Sequence, residues 1–208
     1  MYQSIVRDIF EICIACCGIL RRETDYAAYL VNRLPDIPWL EIDSKGRIAE
    51  FDNDPDNTDY EPHHRHISHL YSFYPAKNVN DPKLIEACKQ SLHTRGIGTE
   101  GWSNVWKACI WAGFRDSENV YLFLNRFIRN ISKSLLGTCE GTFQIDCTFG
   151  YLAAIHEILV RETDGTIELL PALPAQWKNG RVKGLRVNGK TIEMEWKDHK
   201  LISASIRP

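Results

Sequence analysis

The chain of 208 residues is 44% hydrophobic and 25% charged, with a formal net charge of −2, an ordinary globular composition with enough apolar mass for a core. A near-neutral balance without a Lys/Arg run offers no general attraction to nucleic acid or anionic lipid, and no stretch approaches the apolar length of a membrane span. No basic start with an apolar core and a small-residue cleavage site is present either, so no export address is expected. The seven cysteines are an odd number spread mostly through apolar helical stretches, and they read as buried free thiols rather than a disulfide framework. Cys16 and Cys17 are adjacent and lack a second pair at zinc spacing, so no metal is expected there.

In chain order, Tyr2 to Leu20 places Ile5, Val6, Ile9, Phe10, Cys13, Cys16, Cys17 and Leu20 on one broad helical face. A second helix is predicted from Thr24 to Leu34, stopped by Pro35. Trp39 to Phe51 reads as a small hairpin turning at Gly46. An acidic loop from Asp52 to Pro62 leads into His63-His64-Arg65-His66-Ile67-Ser68-His69, four histidines in seven residues. If this segment is helical, His66 and His69 share a face. Three readings stand: a metal site, which lacks a completing carboxylate or Cys and is opposed by Arg65; core or interface packing; and a polar edge that binds substrate.

Asp81-Pro82 marks a helix start, with the helix running Leu84 to Thr94 and ending at Gly96. The Gly-rich stretch Arg95 to Ser103 lacks the Lys-Ser/Thr ending of a phosphate loop, so no nucleotide cofactor is expected. Trp102 within it reads equally as a core residue or as a face for a sugar ring. Helices follow at Ser103–Phe114 and Asp116–Ser132. The turn Phe143-Gln144-Ile145-Asp146-Cys147-Thr148-Phe149-Gly150 then opens a helix over 150–160. Asp146 reads either as a cap of that helix or as an ionised base at the mouth of a cleft, shielded by Phe143 and Phe149. From Thr166 the period switches to two: strands are predicted at Thr166–Leu170, Arg181–Val187, Thr191–Trp196 and Leu201–Arg207, packed on the helices through Leu169, Leu170, Leu173 and Trp177. The division is therefore a helical part, 1–163, and a β module, 164–208.

Several of these stretches, in order and spacing, resemble the α-L-fucosidases of glycoside hydrolase family 95. They are His64-Arg65-His66-Ile67-Ser68-His69-Leu70 with Tyr74-Pro75, Gly101-Trp102-Ser103 with Trp106-Lys107, Phe143-Gln144-Ile145-Asp146 with Phe149-Gly150, and Leu169-Leu170-Pro171-Ala172-Leu173-Pro174 before Trp177. The resemblance implies a mainly α chain, part of an (α/α)6 barrel followed by a small antiparallel β C-terminal module. It also implies hydrolysis of terminal α-L-fucose from oligosaccharides with inversion, and no cofactor or metal. Asp146 matches the carboxylate that helps activate the attacking water, while Arg65 and His66 match residues lining the fucose pocket. Relatives act outside the cytoplasm; the location of this chain is left open.

The family's general acid and water-activating asparagine lie upstream of the segment matched here, and about six or seven helices are countable against the twelve of a barrel. The chain is thus expected to be a fragment that is inactive alone. It is expected to expose an apolar face, with self-association or the missing N-terminal half as its partner. Cys147 and Thr148 stand where the family has Gly and Asn. The alternative readings are a relative shifted to α-L-galactosides and a non-catalytic scaffold or sugar-binding piece, in which Asp146 serves as a cap and Trp102 as a stacking platform.

Overall fold

The structure is a computed structural model that describes residues 1–51, 62–97, 101–133, 136–139, 142–163 and 165–208, with backbone alone at 130–133 and 136–139. The acidic loop up to Glu61, residues 98–100 of the Gly-rich stretch, and Glu140 lie outside the described residues. Two compact units are formed, Met1–Gly96 and Ile97–Pro208.

In the first unit, α1 (Tyr2–Leu20) packs with α2 (Thr24–Arg33), which ends in a 3-10 turn at Leu34–Asp36. The third helix, α3 (Pro82–Arg95), starts as its sequence dictates: Asp81 Oδ1 accepts the Lys83 N–H at 2.8 Å, and Pro82 occupies a position that needs no donor. Gly96, at φ +63°, ends it. The hairpin expected over 39–51 forms as a short antiparallel pair around the Ile42–Ile48 bridge, with the Asp43 N–H donating to the Arg47 carbonyl at 2.8 Å, the Ala49 N–H to the Glu41 carbonyl at 2.9 Å, and Gly46 at φ +76° in its turn. Asp43 reinforces that turn: its Oδ1 accepts the N–H groups of Lys45 and Arg47 at 2.9 and 2.8 Å, and its Oδ2 takes Arg47 Nε at 2.7 Å. Ile48 behind this turn is buried, and its N–H donates to Ser91 Oγ of α3. Ile48, Ile67, Leu70, Leu84, Cys88 and Leu92 belong to the unit's core.

The histidine segment is not a helix through His66. Only Ser68–Leu70 forms a 3-10 turn, so His66 and His69 share no helical face. The His66 N–H donates to His64 Nδ1 at 3.2 Å, and His63 Nδ1 donates to the Thr94 carbonyl at 3.0 Å. These local and crossing bonds occupy groups that a helix would have used.

The second unit contains α4 (Gly101–Gly113), α5 (Ser117–Arg126, capped by Asp116 onto Asn119) and a π turn at Phe127–Ile131. Where the sequence reading had helix end and loop, a small antiparallel meander forms: β1 (Ser132–Lys133), β2 (Leu136–Cys139) and β3 (Thr142–Phe143). The next helix, α6 (Ile145–Leu159), starts five residues before the expected Gly150. It lies close against α4 because Gly150 has no side chain: a Cβ there would stand 2.5 Å from Val105 Cγ2.

Beyond α6, β4 (Val160–Thr163) pairs with β5 (Thr166–Leu169), and β6 (Gly180–Val187), β7 (Lys190–Lys197) and β8 (Lys200–Arg207) form an antiparallel sheet. β4 stands where the apolar period predicts the end of a helix at Val160; its pairing with β5 makes the segment a strand. The β segments join the helices through main-chain bonds, Leu170 N–H to the Leu159 carbonyl at 2.9 Å and Ala172 N–H to the Ile158 carbonyl at 3.4 Å. Within the sheet, Trp196 lies over Gly180, where a Cβ would be 2.1 Å from the indole, and its Nε1 donates to the Trp177 carbonyl at 2.8 Å. The chain is mainly α with a small antiparallel β module at its C-terminal end.

Three of the cysteines expected to be buried are so: Cys88, Cys109 and Cys147. Cys13 and Cys17 are half-buried and Cys16 is exposed; the side chain of Cys139 lies outside the described residues. On α1 the face that carries Ile9, Ile12, Ile19 and Leu20 is exposed, Ile19 to 81%. No described helix is long and apolar enough to cross a membrane.

Candidate functional site

Asp146 is the second residue of α6. The N-cap is Gln144, without a side-chain cap bond, so Asp146 is not the cap that the sequence reading offered: the helix begins before it. Its Oδ1 instead accepts the Cys147 N–H at 3.1 Å, one of the first-turn donors with no partner inside a helix. The positive end of the helix favours the carboxylate there. Asp146 is exposed, and Phe143 and Phe149 are 51% and 63% exposed. The two rings therefore do not enclose the carboxylate in a buried pocket. Cys147 beneath it is fully buried, in a cluster with Val105 and Phe127.

Trp102 is the second residue of α4. It is half-buried against that same cluster, with its ring 5.1 Å from Trp106. Core packing therefore takes one part of the indole and leaves another accessible. The Trp102 N–H donates to Gln144 Oε1 at 3.0 Å. Trp102 and Asp146, 44 positions apart, thus belong to one junction where the starts of α4 and α6 meet.

Arg65 and His66 lie in the first unit. Arg65 is exposed and His66 half-buried, its ring 4.6 Å from His64 in an edge-to-face arrangement. Burial, then the charges of His64 and Arg65, hold the His66 pKa below its ordinary value. Near neutral pH the imidazole is therefore uncharged and presents one donor and one acceptor, which suits hydroxyl groups. Behind this loop, Glu50 and Arg95 form an ion pair, and His69 Nδ1 stands 3.8 Å from Glu50 Oε1, with no hydrogen-bond partner among the described residues. His69 is 3% exposed, and burial, followed by the Arg95 charge, lowers its pKa to about 3. Among the described residues, no group of three His, Cys, Asp or Glu side chains is placed to hold a cation.

Sequence reasoning missed Gln144, Glu50 and Arg95. Gln144 carried one signal: it stands directly before a helix that offers no Ser, Thr, Asp or Asn at its N-cap. Glu50 and Arg95 carried none, since their pairing joins positions 45 residues apart.

A comparison with known families matches residues 1–159 to the glycosyl hydrolase family 95 catalytic domain and residues 162–208 to the glycoside hydrolase family 95 C-terminal domain. Among curated proteins, alpha-L-fucosidase 2 of Arabidopsis thaliana is 33% identical over 216 residues, covering 96% of this chain and 25% of that protein. A probable alpha-fucosidase A of Aspergillus oryzae is 33% identical, covering 97% of this chain and 32% of its own. Its counterpart in Aspergillus niger is 30% identical, covering 98% and 29%. The chain spans between a quarter and a third of the length of these relatives.

Proposed function

Because this chain belongs to glycoside hydrolase family 95, with the family's fold of part of an (α/α)6 barrel followed by a small antiparallel β module, we propose that it supplies the base side of an inverting α-L-fucosidase. The substrate is a terminal α-L-fucose on an oligosaccharide. Asp146 directs the attacking water, and Arg65 and His66 hold the sugar. Trp102 presents the accessible part of its ring to substrate, and the division between helical and β parts falls at 163/164. The observation that carries the reading is the exposed Asp146 carboxylate at the start of α6, anchored by the Cys147 N–H. A group held in place yet open to solvent meets what a water-activating base needs. Inversion requires a second carboxyl about 6.5–9.5 Å away so that a water fits between them, and we propose that this acid comes from the upstream portion carried by the longer relatives, without which the chain does not turn over.

A second reading has its own observation: the same Cys147 bond is what a purely structural first-turn carboxylate would make. Asp146→Asn in the chain joined to that upstream portion separates the two. A base predicts a loss of turnover on the order of 10²–10⁴-fold, with stability changed by less than about 1 kcal/mol. Full activity in that variant would leave only the scaffold reading.

A further inference from the structure

We infer that Gln144 is a positioning residue, which holds Asp146 in register with Trp102 by bridging the first turns of α4 and α6. The inference rests on the reading of Asp146 as the base-side carboxylate. The side-chain oxygen of Gln144 accepts the Trp102 N–H at 3.0 Å, a first-turn donor that has no acceptor within α4. Its main-chain oxygen belongs to the other helix, accepting the Cys147 thiol at 2.9 Å and the Thr148 N–H at 3.4 Å. One residue is therefore fixed to α6 by its backbone and to α4 by its amide, two positions before the carboxylate. Cys147, the residue after Asp146, is fully buried against Val105 of α4, so displacing Gln144 shifts the turn that carries Asp146.

Gln144 touches no substrate in this account. Its effect on chemistry comes through geometry, where a misplacement of about 1 Å costs on the order of 10²-fold. The loss is therefore expected chiefly in kcat, with any change in KM limited to what Trp102 contributes to holding the sugar.

The test uses two variants. Gln144→Met has nearly the same shape but no acceptor; Gln144→Glu keeps an acceptor oxygen. In the ¹⁵N-labelled 208-residue chain, hydrogen exchange at the Trp102 amide is expected to speed up about tenfold in Gln144→Met and to stay near the wild-type rate in Gln144→Glu. An unchanged rate in Gln144→Met overturns the inference. So does a wild-type Trp102 amide that exchanges as fast as an unstructured peptide, a result that needs no variant to fold. In the chain joined to the upstream portion, Gln144→Met is expected to lower kcat on the order of 10²-fold, with recovery in Gln144→Glu. Equal losses in both variants, or a change confined to KM, would overturn it. If the unsubstituted joined chain releases no fucose, the proposed function fails, while the exchange rates still decide the role of Gln144.

Discussion

His69 is a buried side chain whose environment changes its acid–base behaviour strongly. Burial first, and then the Arg95 charge, hold it neutral, with a pKa of about 3; Glu50 Oε1 stands 3.8 Å from its Nδ1. Above pH 6.5 the imidazole is neutral in both folded and unfolded chains and does not affect the balance. From 6.5 down to about 3 only the unfolded chain binds the proton, so stability falls as pH falls across that window. Urea midpoints measured between pH 7 and 4 are expected to drop more steeply for wild type than for His69→Gln. Parallel curves would show that His69 is not held neutral. Arg65, His66, Trp102 and Asp146 were legible as motif residues, because each belongs to a short local pattern. Their surroundings were not legible. Nothing within a few positions of His69 announces Glu50 and Arg95, and the hairpin over 39–51 was legible where the buried Asp43–Arg47 pair that tightens its turn was not.

Among the elements, the packing of α6 on α4 decides where Asp146 stands. That approach needs the bare backbone at Gly150. Gly150→Ala is expected to cost about 1–3 kcal/mol through overpacking against Val105, and Val105→Ala is expected to recover part of the loss in the double variant; additive losses in urea unfolding would count against the contact. The helices were readable from their apolar period, and α3 almost to the residue, because Asp81 and Pro82 mark its start and Gly96 its end. The start of α6 was misread because Thr148 and Asp146 look like caps, whereas the helix begins from Gln144, whose side chain caps α4 instead. β4 was hidden for a similar reason: Val160 continues the helical period of α6, and only its pairing with Leu169 across a turn makes it a strand. Long-range pairing has no local signature, and tertiary context overrides propensity at such boundaries.

For the molecule as a whole, the mainly α chain and its terminal antiparallel sheets were visible in the change of period near Thr166. The exposed apolar face of α1, with Ile9, Ile12, Ile19 and Leu20, is the kind of surface that seeks a partner. We propose that the upstream portion of the longer relatives covers it. Joining that portion is then expected to abolish any concentration-dependent association of the 208-residue chain in sedimentation; association that persists would point to a second copy instead. The central claim is that Asp146 directs water onto α-L-fucose with inversion. Its most direct test is a ¹H NMR time course of a fucosyl-α1,2-galactose oligosaccharide with the chain joined to the upstream portion, following which anomer of free L-fucose forms first. The β anomer first, with no release by the 208-residue chain alone, is the expected result. The α anomer first, or no free fucose from the joined protein, would contradict the account.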